Sequence, residues 1–251
     1  KGWQTADIAQ PESAAIATRW FDAMLKTTAE EVADLFKKYR LSEALMAVYK
    51  LFWDEFSSWY LEMIKPAYGQ PIDQATYDQT LRFFDTLLKL LHPFMPFITE
   101  ELWQHIYDRL PGESIMISPL HVAVPTDEER TLIAQIEAVK GIGVRTVRNQ
   151  KNIAPKEVLS LEAVNENPYE AFDAVICKMA NIDKVSVVAQ KSDNAASFLI
   201  GTTEYAVPLG NLIDVDAEIA KQEAELKHLE GFLAGVKKKL GNERFVANAP
   251  A

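Results

Sequence analysis

Residues 140–156 carry Lys140, Arg145, Arg148, Lys151 and Lys156 with no Asp or Glu, a local charge of +5 in a chain of formal charge −10. Arg145 and Arg148 are three positions apart, so a helix would set them on one face. Guanidinium forks match phosphate oxygens. The same residues also suit a solvated helix end, where the dipole favours cations, and the spacing leaves both readings open. The overall acidity argues against a protein that coats nucleic acid nonspecifically. Other chemistry is sparse. The lone Cys177 excludes an internal disulfide and a multi-cysteine zinc site and reads as a small buried apolar residue. His92, His105, His121 and His228 stand at unrelated spacings, so no metal site is expected. Neither a Gly-rich phosphate loop nor a nucleophile–base constellation is visible, which points to binding without catalysis.

The elements that would position these residues are mostly helical. At 251 residues and 28.2 kDa the chain has room for one large or two modest domains. It has no apolar run long enough to span a membrane, and Lys1-Gly2-Trp3-Gln4 opens no secretory signal. Residues 11–39 predict a helix, with a stripe of Ile16, Trp20, Met24, Val32, Leu35, Phe36 and Tyr39 and a possible restart at Thr28, which has capping-box spacing to Glu31. Residues 41–65 predict a second, with Leu41, Leu45, Val48, Phe52, Phe56 and Trp59 inward. Residues 73–91 predict a third, with Leu81, Phe84, Leu88 and Leu91 inward, and 96–109 a fourth. His92-Pro93 and Pro96 force an elbow between the last two, and its Phe94, Met95, Phe97 and Ile98 are expected to be buried.

An extended connector (113–125) leads to a helix that Thr126 and Glu129 would cap and that runs toward Val147, weakened by Gly141 and Gly143. Residues 157–213 change character: strands at 158–164, 184–188, 196–200 and 205–209 and a short helix at 167–179 make a small α+β unit. Finally Leu212, Val215, Ile219, Gln222, Leu226, Leu229, Leu233, Val236 and Leu240 alternate in three- and four-residue steps, a coiled-coil seam. The expected fold is therefore mainly α: a helical bundle with its exit linker (1–125), a helix with an α+β junction domain (126–213) and a C-terminal coiled-coil arm helix (214–251).

Several strings carry a resemblance. Leu91-His92-Pro93-Phe94-Met95-Pro96-Phe97-Ile98-Thr99-Glu100-Glu101-Leu102-Trp103 resembles the corner of the anticodon-binding bundle in class I aminoacyl-tRNA synthetases of the valine, isoleucine and leucine group. Phe52-Trp53-Asp54-Glu55-Phe56-Ser57-Ser58-Trp59-Tyr60-Leu61-Glu62 resembles a valyl-type string, with Ser57-Ser58 where that family commonly has Cys-Asp. Arg145 to Lys156 resembles the group's basic segment. Pro208-Leu209-Gly210-Asn211-Leu212-Ile213-Asp214-Val215 and Lys238-Lys239-Leu240-Gly241-Asn242-Glu243-Arg244-Phe245-Val246-Ala247 resemble valyl arm motifs. The chain is thus similar to the C-terminal region of valyl-tRNA synthetases. An isoleucyl or leucyl region is the alternative within the group, although isoleucyl members usually end in a zinc-binding cysteine cluster. From another class, a non-enzymatic helical interaction module would explain the heptads but not the shared strings.

The resemblance implies a parent enzyme that uses ATP with Mg to attach valine to its tRNA in the cytoplasm, as a monomer. The H-I-G-H and K-M-S-K-S strings of its catalytic domain do not occur here, so this chain is expected to hold no cofactor and to bind valine tRNA. Unstacked anticodon bases are read by stacking and edge contacts. Lys37, Lys38 and Arg40, at the junction of the first two helices, and Lys50 become candidates, although Lys50 also suits an ordinary solvated face. For the arm the candidates are Lys237, Lys238, Lys239 and Arg244, with Phe245 at the hairpin tip; Arg145, Arg148 and Lys151 complete the set. Trp53, Trp59 and Tyr60 read as core residues. The family's arm has a second, antiparallel helix. The seam Leu212–Leu240 is expected to pair with the same helix of another chain, the alternative being fold-back onto its own bundle or α+β unit.

Overall fold

The computed structural model describes residues 4–210, 226–234 and 236–237. The chain divides into two compact units, Lys1–Ser192 with Ala196–Pro208, and Asp193–Ala195 with Leu209–Ala251. In the first, β1 (Thr5–Ala6) precedes α1 (Glu12–Lys37), α2 (Leu41–Lys50), a π-helical segment (Leu51–Tyr60) and α3 (Leu61–Ile64). β2 (Ile72–Asp73) pairs in parallel with β1 and leads into α4 (Gln74–Leu91) and α5 (Pro96–Ile106). A 3-10 turn (Ile115–Ile117), α6 (Asp127–Lys140) and α7 (Val144–Gln150) follow. β3 (Leu159–Val164), α8 (Asp173–Ala180), β4 (Ile182–Val188), β5 (Ala195–Ile200) and β6 (Thr203–Pro208) form the α+β part. The mainly helical expectation with a small mixed sheet holds.

α1 is the central helix, and α2, α4, α6 and α8 all pack on it. It does not restart at Thr28, which is buried within one continuous helix. Its Phe21 ring meets Phe56 at 5.3 Å, Tyr60 at 4.9 Å and Phe83 at 5.2 Å. The second helical run reaches that cluster only through a change of phase. Its buried residues are Ala44, Val48, Leu51, Phe56 and Tyr60, so the step from Leu51 to Phe56 is five. A π-helical turn supplies that step. The Ser57 and Ser58 hydroxyls donate to the carbonyls of Phe52 and Trp53, five residues back, at 3.0 Å each. The straight α stripe read from the sequence is therefore corrected: Leu41 and Leu45 are exposed, Phe52 and Trp59 are half-buried, and Tyr60 is inside.

In α4 the inward face is Phe83, Leu87, Leu88 and Leu90, with Leu81, Phe84 and Leu91 only half-buried. Asp73 caps the helix by accepting from Thr76 N–H at 2.8 Å. Tyr60 donates to Thr80 Oγ1 at 2.8 Å, because the Thr80 hydroxyl proton already goes to the Thr76 carbonyl at 2.7 Å. Burial pushes the Tyr60 phenol well above its ordinary pKa.

The elbow is sharp, but it is not apolar inside. Met95 is 49% exposed, Phe97 90% and Ile98 47%, against the expectation of burial. What faces inward is Thr99, fully buried. Its hydroxyl donates to Met95 O at 2.8 Å and accepts from His92 Nδ1 at 2.8 Å. One turn later Trp103 joins Leu88 and Ile115 in a small core. Helical spacing explains the reversal: Thr99 and Trp103 share the inner face, which turns Phe97 and Ile98 outward. α5 also ends at Ile106, short of Arg109.

Thr126 and Glu129 form the expected capping box, and Glu129 also accepts from Lys26 at 2.5 Å, joining α6 to α1. The helix breaks at Gly141, and α7 starts anew at Val144. The sheet order is β4-β3-β6-β5. β3 and β4 are parallel, linked by α8 as a crossover, and β3 and β6 are antiparallel. Leu159, Leu161 and Ala163 face inward from β3. Among the described residues no helix is long and apolar enough to cross a membrane.

Asp85 binds three groups at once: Trp103 Nε1 at 2.7 Å, Lys89 at 2.8 Å and Arg109 at 3.4 Å. Asp85→Ala leaves a buried indole donor without an acceptor and is expected to cost about 2 kcal/mol of stability. A urea-unfolding midpoint equal to the parent's would reject this.

Candidate nucleic-acid interface

The cations proposed from the sequence fall into three groups. The first surrounds the turn between α1 and α2. Lys37 and Lys50 are exposed and make no ion pair among the described residues. Lys38 pairs with Asp34 at 2.5 Å. Arg40 grips Glu43 through both Nε and Nη2; both side chains are about half exposed, so this pair exchanges readily with solvent. Tyr39 stands among them, 89% exposed and with φ at 57°. The helical periodicity puts Tyr39 on the inward stripe, and this is corrected: α1 ends at Lys37, so Tyr39 lies past the helix and turns to solvent. The only sequence signal is the Lys-Lys-Tyr-Arg string itself.

The second group is the basic segment, and here the structure separates the two arginines. Arg145 is exposed. Arg148 is 7% exposed and donates to three carbonyls: Ala154 at 3.1 Å, Ala180 at 3.2 Å and Asn181 at 3.1 Å. Those acceptors tie α7 to the following loop and to the end of α8, and burial lowers the Arg148 pKa. The expected exposed pair on one helix face is corrected to Arg145 alone, because α7 buries Val144, Val147 and Arg148 and the carbonyls of Ala154, Ala180 and Asn181 receive the guanidinium. Lys151 is half-buried and Lys156 exposed. Lys140 is also committed: its ammonium binds Glu55 and Glu137 and lies 4.6 Å from the Trp20 ring centroid.

Beside Arg145 is a cavity of about 230 Å³ lined by Trp59, Met63, Ile142, Thr146, Ile176 and Met179 among others. The Arg145 guanidinium carbon lies 5.8 Å from the Trp59 ring centroid, loose compared with Arg109, which sits 3.4 Å over Trp103. Gly143 at its rim packs closely on the Phe198 ring, which a Cβ there would approach to 3.0 Å. Trp53, read as core, is instead 58% exposed and stacks parallel to Tyr49 at 6.3 Å.

The third group belongs to the second unit. Residues 226–234 and 236–237 are helical, and Leu226, Leu229, Phe232 and Leu233 are more than half exposed. Lys237 is exposed on this helix. Lys238, Lys239, Arg244 and Phe245 lie outside the described residues, as do most of the seam positions. Among the described residues no cluster of His, Cys, Asp and Glu could hold a metal, and burial raises the Cys177 thiol pKa, which leaves it unreactive.

Comparison with known proteins gives two separate matches. Residues 18–163 match the family described as the anticodon-binding domain of tRNA ligase, and residues 214–251 match the valyl tRNA synthetase tRNA binding arm. The whole chain is 64% identical over 253 residues to a valine–tRNA ligase of Phocaeicola vulgatus and 61% identical over 256 residues to that of Bacteroides thetaiotaomicron. It is 45% identical over 254 residues to the valine–tRNA ligase of Christiangramia forsetii. The chain spans about 29% of the length of each of these relatives.

Replacing Arg148 by alanine orphans three carbonyls and is expected to lower stability by about 2–3 kcal/mol. Arg148→Lys should recover only part, because one ammonium cannot span the fork's three acceptors. Full recovery by lysine in urea unfolding would show that charge alone matters there.

Proposed function

Because this chain belongs to the anticodon-binding domain family of tRNA ligases, within its valine–tRNA ligases, we propose that it grips valine tRNA while a longer polypeptide attaches valine to it. The observation that carries this reading is the order of the two matches, an anticodon-binding region at 18–163 followed by a tRNA-binding arm at 214–251. On this reading residues 1–125 meet the anticodon stem-loop, 126–213 form the junction, and 214–251 belong to a coiled-coil arm that reaches the tRNA elbow. The chemistry of the longer enzyme uses ATP with Mg in the cytoplasm, as a monomer. This chain supplies no catalytic group and holds no cofactor of its own.

The accessible cations support the reading. Lys37, Arg40, Lys50, Arg145, Lys156 and Lys237 are exposed, and the net charge of −10 disfavours nonspecific coating of the rest of the surface by RNA. Lys151, Lys238, Lys239, Arg244 and Phe245 extend the proposed contact set; Arg148 is left out because its donors are spent on carbonyls. The exposed Leu226, Leu229 and Leu233 favour seam pairing, so the 251-residue chain alone self-associates through Leu212–Leu240 as its concentration rises.

Filter binding tests the proposal. The chain should hold valine tRNA more tightly than the same tRNA with a swapped anticodon, and Arg40→Ala should weaken that binding. Arg145→Ala should lower the slope of log affinity against log salt by about one, the signature of one lost phosphate contact. Equal binding of both tRNAs rejects anticodon readout. An unchanged slope makes Arg145 ordinary solvated surface.

A further inference from the structure

The turn after α1 is closed in an unusual way. Arg40 N–H bonds back to Leu35 O at 2.9 Å and Tyr39 N–H to Phe36 O at 3.0 Å, the pattern that ends a helix on a left-handed residue. Glycine normally fills that position, because a Cβ crowds the backbone there. Here it is Tyr39, at φ 57°. The strain is not recovered by packing, since the side chain is 89% exposed. The backbone closes the helix end, but the ring adds nothing to that closure, and a strained position whose side chain does not serve the fold points to a role outside it.

The surroundings indicate what the ring does. Lys37, Lys38 and Arg40 flank it in sequence; Lys38 pairs with Asp34 and Arg40 with Glu43, both exposed pairs that a phosphate can displace at small cost. The elbow lies at the same end of the bundle, because Phe94 meets Phe36 at 5.7 Å, and it presents Phe97, 90% exposed. Exposed aromatic faces interleaved with cations are the chemistry that captures unpaired RNA bases: the ring stacks on the base and the cations meet its phosphates.

We propose that Tyr39 is a stacking platform for one unpaired base of the bound RNA, with Lys37 and Arg40 on the adjoining phosphates. The proposal rests on the reading of this chain as a tRNA-binding region and names a residue that carries the base contact. It makes the strain functional, so removing the ring moves stability and affinity in opposite directions.

The test uses the 251-residue chain, Tyr39→Gly and Tyr39→Phe. The probes are an RNA hairpin copying the anticodon stem-loop of valine tRNA and a set of the same hairpin with one loop base removed at a time. Tyr39→Gly should unfold at higher urea than the parent, yet bind the hairpin on the order of tenfold more weakly. Tyr39→Phe should bind as the parent does. One abasic position should weaken binding to the parent and make no difference to Tyr39→Gly. Parent-like hairpin binding by Tyr39→Gly overturns the proposal and leaves the tRNA-binding reading standing. A loss of stability in Tyr39→Gly also overturns it, since the ring would then be part of the fold. If the parent binds neither the hairpin nor whole valine tRNA, both readings fall.

Discussion

The contact of Phe21 with Phe56, Tyr60 and Phe83 is the constraint around which the bundle is arranged. All four rings are less than a tenth exposed, and such pairs contribute roughly 0.5–1.5 kcal/mol each beyond the area they bury. An uninterrupted α-helix from Leu41 could not present Val48, Leu51, Phe56 and Tyr60 to one neighbour, because its period drifts off that spacing. The π segment absorbs the difference. Ser57 and Ser58 then have a local role, their hydroxyls bonding carbonyls within the widened turn. The departure from the valyl string at these two positions therefore costs the core nothing.

Once that core is set, polar groups fix its corners. The buried Thr99 hydroxyl bridges His92 and the Met95 carbonyl. Glu100 accepts from Ser114 Oγ at 2.6 Å and from Ile115 N–H at 3.1 Å, drawing the connector onto α5; the Ser114 bond is the leading cause of its lowered pKa. Arg148 does the same for the sheet unit with three carbonyl acceptors. Each is a group whose desolvation would be costly if it stood alone, so each specifies one arrangement of the elements it joins.

The charge distribution follows from this division of labour. Cations inside the unit, Lys140 and Arg148, are consumed by glutamates, aromatic faces and carbonyls. Cations at the α1–α2 turn and at Arg145 remain on the surface, beside exposed aromatic residues and the Trp59 cavity. A chain of net charge −10 can thus present a few local sites for a polyanion without attracting it everywhere.

Much of this was legible in the chain itself. Pro93 and Pro96 dictated an elbow because proline restricts backbone dihedrals locally. Thr126 with Glu129 dictated a helix start, and alternating β3 residues dictated a half-buried strand, since caps and alternation depend on near neighbours alone. The valyl strings told the family. The tertiary structure decided which face of each helix turned inward. Leu41, Leu45, Met95, Phe97 and Ile98 are as hydrophobic as the residues that were buried, yet α1 was already occupied by Val48, Phe56 and Tyr60, and Thr99 and Trp103 held the inner side of α5. It also decided that Arg145 stays exposed while Arg148 does not. Arg148 stands four residues after Val144 and so on the apolar side of α7, but only the α8 carbonyls, more than thirty residues further along, give its guanidinium acceptors and make it structural.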